Sequence, residues 1–357
     1  MIESRARASA RVITAVAVAL VVVLCGALPV GAGDPVGQVT EFTAGLTPNS
    51  GPNRIAAGPD GNLWFTQNIG GIGRITPTGD ITEFTIPSPN SGPVGIAAGP
   101  DGNLWFTEIE NPGRIGRITP TGAITEFAIP SPNSGPLGIA AGPDGNLWFT
   151  EFADPGRIGR ITPSGDITEF SDNLTPNSGP VEIAAGADGN LWFTEGKSPG
   201  RIGRITPTGA ITEFSDNLTP NSAPNRITAG SDGNLWFTEF DSPGRIGRIT
   251  PTGAIDEFVI PSPNSGPLGI ETGCDGNLWF AESANPGRIG RITTTGDITE
   301  FAIPVPNSRP VGIAAGPDAN LWFTQNADPG RVAKIGAGCV PPPEPPVPVT
   351  VEPRFTG

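Results

Sequence analysis

The chain contains no histidine, so no imidazole is available as a base, an acid or a metal ligand. Any chemistry must come from carboxylates, guanidiniums and amides. Their most informative placement is a segment of the form Pro-x-x-Ile that recurs seven times. Its first variable position holds Asn53, Val94, Leu137, Val181, Asn225, Leu268 and Val311. Its second holds Arg54, Gly95, Gly138, Glu182, Arg226, Gly269 and Gly312. Most copies are apolar or glycine at these places. Asn53, Arg54, Glu182, Asn225 and Arg226 break the pattern, and Glu271 breaks it again by replacing an alanine just beyond the segment. Two arginines and a glutamate around one opening suit a carboxylate or another polar ligand. Solvated rim residues account for the same pattern equally well.

A second acidic series is regular instead of broken. Glu108, Glu151, Glu195, Glu239 and Glu282 each close a Leu-Trp-Phe strand, with Gln67 and Gln325 in the other two copies. Arg114, Arg157, Arg201, Arg245 and Arg288 follow six residues later. Each pair flanks one hairpin loop, which predicts a cross-strand ion pair worth roughly 0.2–1 kcal/mol. A metal site made of these glutamates is the alternative. The Asp-Gly turns bring one carboxylate each, too few for a calcium loop.

What positions these residues is a repeat. All seven tryptophans (Trp64, Trp105, Trp148, Trp192, Trp236, Trp279 and Trp322) lie in Leu-Trp-Phe triplets spaced 41, 43, 44, 44, 43 and 43 residues apart. Units of about 40–45 residues with several short strands are propeller blades. In the second unit the sequence predicts strands over 94–98, 104–108, 114–119 and 124–127. Asp-Gly and Thr-Gly turns supply the positive φ that the hairpins need. Both faces of a blade pack on neighbours, so the Trp-Phe pairs should fill the gaps between blades. A stacking platform for sugars is the functional alternative. Ile-Thr-Glu-Phe recurs as the fourth strand, and its seventh copy stands at the front as Val39-Thr40-Glu41-Phe42. The expected fold is therefore an all-β, seven-bladed propeller over residues 38–336, with four-stranded antiparallel blades. The N-terminal strand should close it by pairing into the last blade. The ligand site is expected at the channel mouth, on the face bearing the second-to-third turns and the inter-blade loops.

The ends of the chain read differently. Arg5, Arg7 and Arg11 precede an apolar run over 12–24, and Val30-Gly31-Ala32 offers a cleavage site, so residues 1–32 read as a secretory signal peptide. Cys25 leaves lipid anchoring open. Cleavage implies a secreted, extracellular protein with no remaining membrane span. It also removes three arginines and Glu3 from a chain of net charge −14, leaving 18 basic against 34 acidic residues. Such a surface repels phosphate backbones and excludes nucleic acid as a partner. A small molecule or peptide at the channel mouth is the partner expected. Cys274 and Cys339 then remain, and an oxidising compartment invites their disulfide. Residues 340–357 form a Pro-rich extended tail.

Gly-Pro-x-Gly-Ile, Asp-Gly-Asn-Leu-Trp-Phe-Thr-Glu, Arg-Ile-Gly-Arg-Ile-Thr-Pro-Thr-Gly and Ile-Thr-Glu-Phe together resemble the virginiamycin B lyase (streptogramin lyase) family from Val39 to Ile335. The resemblance implies a seven-bladed propeller. It also implies an elimination across the ester bond of a cyclic depsipeptide antibiotic, assisted by Mg2+. Such a reaction needs a base for the proton beside a carbonyl and a cation for the enolate charge. The family's Glu-Pro-His in the final blade falls here on Arg309, Pro310 and Val311. The region of its second metal carboxylate holds Gln325, and its substrate-binding histidine falls on Leu268. The resemblance thus implies a carbon–oxygen lyase, whereas the residues imply a propeller that binds a ligand or envelope polymer without catalysis. A ring kept for structure alone is the third reading.

Overall fold

The computed structural model describes residues 33–340, and both the proposed leader 1–32 and the tail over 341–357 lie outside them. Twenty-eight strands form seven four-stranded antiparallel sheets. Blade 2 is representative, with strands Pro93–Ala98, Leu104–Glu108, Arg114–Ile118 and Ile124–Ala128. Among the described residues, no helix is long and apolar enough to cross a membrane.

The turn after each first strand works through one aspartate. In blade 2, Asp101 accepts from the backbone of Asn103 and, at 3.0 Å, from the Trp105 indole N–H. Gly102 supplies the positive φ of +76° that this turn requires. Blade 7 has Ala319 there at +61°, a conformation that costs a residue with a Cβ.

Every tryptophan is fully buried, which excludes the sugar platform. Trp64 packs against Ile96, Leu104 and Phe106 of the next blade, so it is the mortar between sheets. Burial of one such ring contributes roughly 1.5–3 kcal/mol. Trp105 also stacks on Phe127 of its own blade at 5.5 Å, while the Arg117 guanidinium lies 5.4 Å from the indole. Arg117 then donates to the Pro163 carbonyl of blade 3 at 3.0 Å, clamping neighbouring blades. Close approach needs a bare backbone on the third strand. A Cβ on Gly116 would sit 2.1 Å from the Phe106 ring.

Blade 7 is built from both ends of the described chain. Strand Val39–Phe42 pairs antiparallel with Arg331–Gly336, setting Val39 opposite Ile335 and Phe42 opposite Val332. Phe42 stacks on Trp322 at 5.2 Å, as the outer-strand phenylalanine does in each other blade. Lys334 replaces the clamping arginine and reaches Asp34 at 3.0 Å and Asp318 at 3.1 Å. A disulfide joins Cys274, in a blade 6 turn, to Cys339 after the last strand.

Candidate functional site

The seven first strands line the central channel, which encloses a cavity of about 440 Å³. A threonine on each second strand, except Ala281 in blade 6, sets the layer at its mouth. In blade 1, Thr66 accepts from the Arg54 N–H at 3.1 Å and donates to the Val94 carbonyl of blade 2 at 2.9 Å. Thr194 does the same between Glu182 and Asn225, at 3.1 and 2.7 Å. Glycine at the second variable position lets the inner strands crowd together. A Cβ on Gly95 would meet the Leu137 carbonyl at 2.3 Å, and one on Gly312 the Asn53 carbonyl at 2.6 Å. The three long side chains of that layer must turn into the channel.

They meet there. Arg54 of blade 1 forms an ion pair across the channel with Glu182 of blade 4, and Arg226 Nε of blade 5 lies 3.6 Å from the same carboxylate oxygen. Arg54 is only 8% exposed and Glu182 9%, so both charges have left water. Burial, and then Arg226, push the Arg54 guanidinium well below its usual range. Burial pushes Arg226 down to about 9. Neither Arg54 nor Arg226 finds a hydrogen-bond partner for its Nε. Glu271 lies one layer deeper in the channel wall, accepting only from the Thr272 N–H at 2.9 Å, and burial pushes it up to about 7.

Above this layer is a bowl with two lobes. One, of about 320 Å³, has Arg54 and Arg226 in its floor and Val94, Leu137, Phe152, Val181, Phe240 and Leu268 among its walls. The other, of about 390 Å³, is lined by Asn225, Phe240, Leu268, Ser283, Arg309, Val311 and Asn326. The structure thus brings together Arg54, Glu182 and Arg226, places Asn225 in both lobes and sets Glu271 apart below. Asn53 lines none of these cavities and donates weakly to Asn68 at 3.4 Å. Phe152 and Phe240 were not singled out by the sequence reading. The signal was available, since the position after each second-strand Glu or Gln reads Asn68, Ile109, Phe152, Gly196, Phe240, Ser283 and Asn326.

The acidic series differs from expectation. Cross-strand register does set Glu108 opposite Arg114 and Glu151 opposite Arg157. Yet contacts within reach form only loosely, at 3.9 Å for Glu151, 4.0 Å for Glu195 and 3.9 Å for Glu239. Each inner glutamate is buried with no hydrogen bond to either carboxyl oxygen, and its neighbour on the fourth strand is another glutamate. Burial first, and Glu126 second, push Glu108 up to about 8, and the same causes act on Glu151, Glu195, Glu239 and Glu282. The two glutamine blades give the geometry directly. Gln67 Nε2 donates to Glu83 at 2.5 Å, and Gln325 Nε2 donates to Glu41 at 2.7 Å. A raised carboxyl favours its protonated form, which carries a donor where the two glutamine blades carry an amide N–H.

The Mg2+ implied by the resemblance would need oxygen ligands, chiefly carboxylates. The matched positions do not fit it. Arg309 carries a positive charge, Val311 and Leu268 offer only carbon, and Gln325, whose Nε2 donates to Glu41, brings a single neutral amide oxygen. Among the described residues, no three acidic, histidine or cysteine side chains gather as metal ligands.

The model of the virginiamycin B lyase family matches residues 15–171 and 132–340. Selenomethionine-substituted virginiamycin B lyase from Staphylococcus aureus is 40% identical, with a TM-score of 0.77, over 84% of this chain and 99% of that one. A catalytically inactive form of the same lyase with quinupristin gives 40% identity and a TM-score of 0.77 over 84% of this chain and 99% of that chain. A streptogramin B lyase structure is 39% identical, with a TM-score of 0.76, over 83% of this chain and 96% of its own. Among curated proteins, none matches the chain.

Proposed function

The chain belongs to the virginiamycin B lyase family, and we propose that it retains a ligand-receiving face without the elimination chemistry. One observation carries this reading. The polar side chains of the bowl are Asn225, Ser283, Arg309, Asn326 and the two floor arginines, and none of them is a general base at neutral pH. The nearest carboxylate, Glu182, lines neither lobe and is engaged by two guanidiniums. Glu271 lines the channel below and neither lobe of the bowl. The walls remain suited to a cyclic peptide with aromatic or aliphatic faces, the kind of ligand quinupristin is in the related lyase.

The lyase reading keeps one support, identity of 40% to an enzyme of that activity. One incubation separates the two. Purified protein is mixed with quinupristin and Mg2+, and the antibiotic is followed by mass spectrometry while binding is followed by calorimetry. The expected result is binding with the ester intact. Linearised product that disappears in Glu182→Ala overturns the proposal.

Secretion belongs to the same reading, on the strength of the leader-like residues 1–32 and the Cys274–Cys339 disulfide. Mass spectrometry of the exported protein should place its first residue close to Gly33. Recovery of the intact chain from the cell interior would contradict it.

A further inference from the structure

We propose that the bowl lobe floored by Arg54 and Arg226 is a site for an N-acylated amino acid or a peptide C-terminus, with the carboxylate on the two guanidiniums and the apolar side chain on the walls. The inference rests on the bowl being the ligand face and names the chemistry that it selects.

Charge is the first argument. Two guanidiniums share one carboxylate, so the layer carries one uncompensated positive charge where water is scarce. Glu271 lines the channel cavity together with both arginines but forms no ion pair with either, its one hydrogen bond coming from the Thr272 N–H. A buried guanidinium without its full set of acceptors is costly, and a ligand carboxylate supplies them. Arg54 is more than nine-tenths buried with no hydrogen bond to its Nε, and Arg226 Nε has only the Glu182 oxygen 3.6 Å away. Both residues line the lobe.

Shape and polarity give the rest. The walls are Val94, Leu137, Val181, Leu268, Phe152 and Phe240, and Phe240 is 43% exposed. An apolar side chain gains by covering that ring. Asn225 stands at the edge of the lobe with its Oδ1 buried and unpartnered. It can accept one N–H, and an acylated amino acid carries an N–H on the carbon beside its carboxylate. The chain's overall charge of −14 disfavours anions at long range. Selection of a carboxylate here would therefore be local, made by these two side chains.

The test is calorimetric titration at pH 7 with N-acetyl-L-phenylalanine and with its C-terminal amide, which differ in charge and little in shape. Wild type should bind the acid about tenfold more tightly than the amide. Arg226→Gln should abolish that preference. Glu182→Gln removes the competing carboxylate and should tighten the acid by about tenfold. Tryptophan emission confirms that each variant is folded. Equal binding of acid and amide by wild type overturns this assignment while leaving the bowl as a ligand face. Failure of both probes, with quinupristin still bound, overturns it as well. Failure of quinupristin too removes the parent reading.

Discussion

Five blades hide a glutamate at the end of the second strand and two hide a glutamine, whereas the charged side chains of the mouth layer, Arg54, Glu182 and Arg226, stand in only three blades. Both regions are buried and ionisable, and they solve the cost of burial in opposite ways. Burial and a neighbouring carboxyl push the repeated glutamates up to about 8, which favours their protonated form on folding. Glu182 instead faces two guanidiniums and is paired with both. A feature copied around a sevenfold ring must be satisfied within its own blade or by an adjacent one. One that breaks the symmetry can draw on partners from across the channel, and only such a feature can single out one ligand.

Removing the shared carboxylate should have the largest effect. Glu182→Leu leaves two buried guanidiniums facing each other and should cost about 3–5 kcal/mol in urea denaturation at pH 7. A loss below about 1 kcal/mol would mean that water reaches the cluster and that the comparison is false. Next come the repeated glutamates. Their folded pKa lies above the unfolded value, so they contribute full stability below about pH 4.5, and that contribution is lost as pH rises toward about 8. Glu239→Gln should raise stability at pH 8 by on the order of 1–3 kcal/mol and change little at pH 5. Gln67→Glu should bring the same pH dependence into blade 1. A flat profile for wild type between pH 5 and 8 would sink the carboxyl-pair description. Phe240→Ala should alter stability by less than about 1 kcal/mol, because the ring is exposed, yet weaken quinupristin binding severalfold. Smallest of all, Ala319→Gly should raise stability by about 1 kcal/mol, since glycine accepts the +61° φ of that turn.

The architecture could be read from the chain because it depends on spacing alone. Leu-Trp-Phe triplets count the blades, and the displaced Val39–Phe42 strand announces how the circle closes. The carboxyl pairs could not be read in the same way. Glu108 and Arg114 are opposite in register, so an ion pair is the natural reading of the sequence. Which neighbour a buried glutamate meets depends on how its side chain leans toward the fourth strand, where Glu126 waits. Glutamine at Gln67 and Gln325 was the clue, an amide standing where a charge would not be kept. At the mouth, the odd residues were visible at once. That Arg54 would cross the channel to Glu182, while Asn53 beside it turns away, follows from the crowding of glycine-lined strands and from no local pattern.

One consequence follows from the composite last blade. Because the seam falls inside a sheet and not between two sheets, the outermost strand and the three inside it are tied by a full ladder of backbone hydrogen bonds. Gene-level gain or loss of a whole unit from the middle leaves that fastening untouched. Such a chain can therefore be resized one copy at a time, while its lock travels with its two extremities.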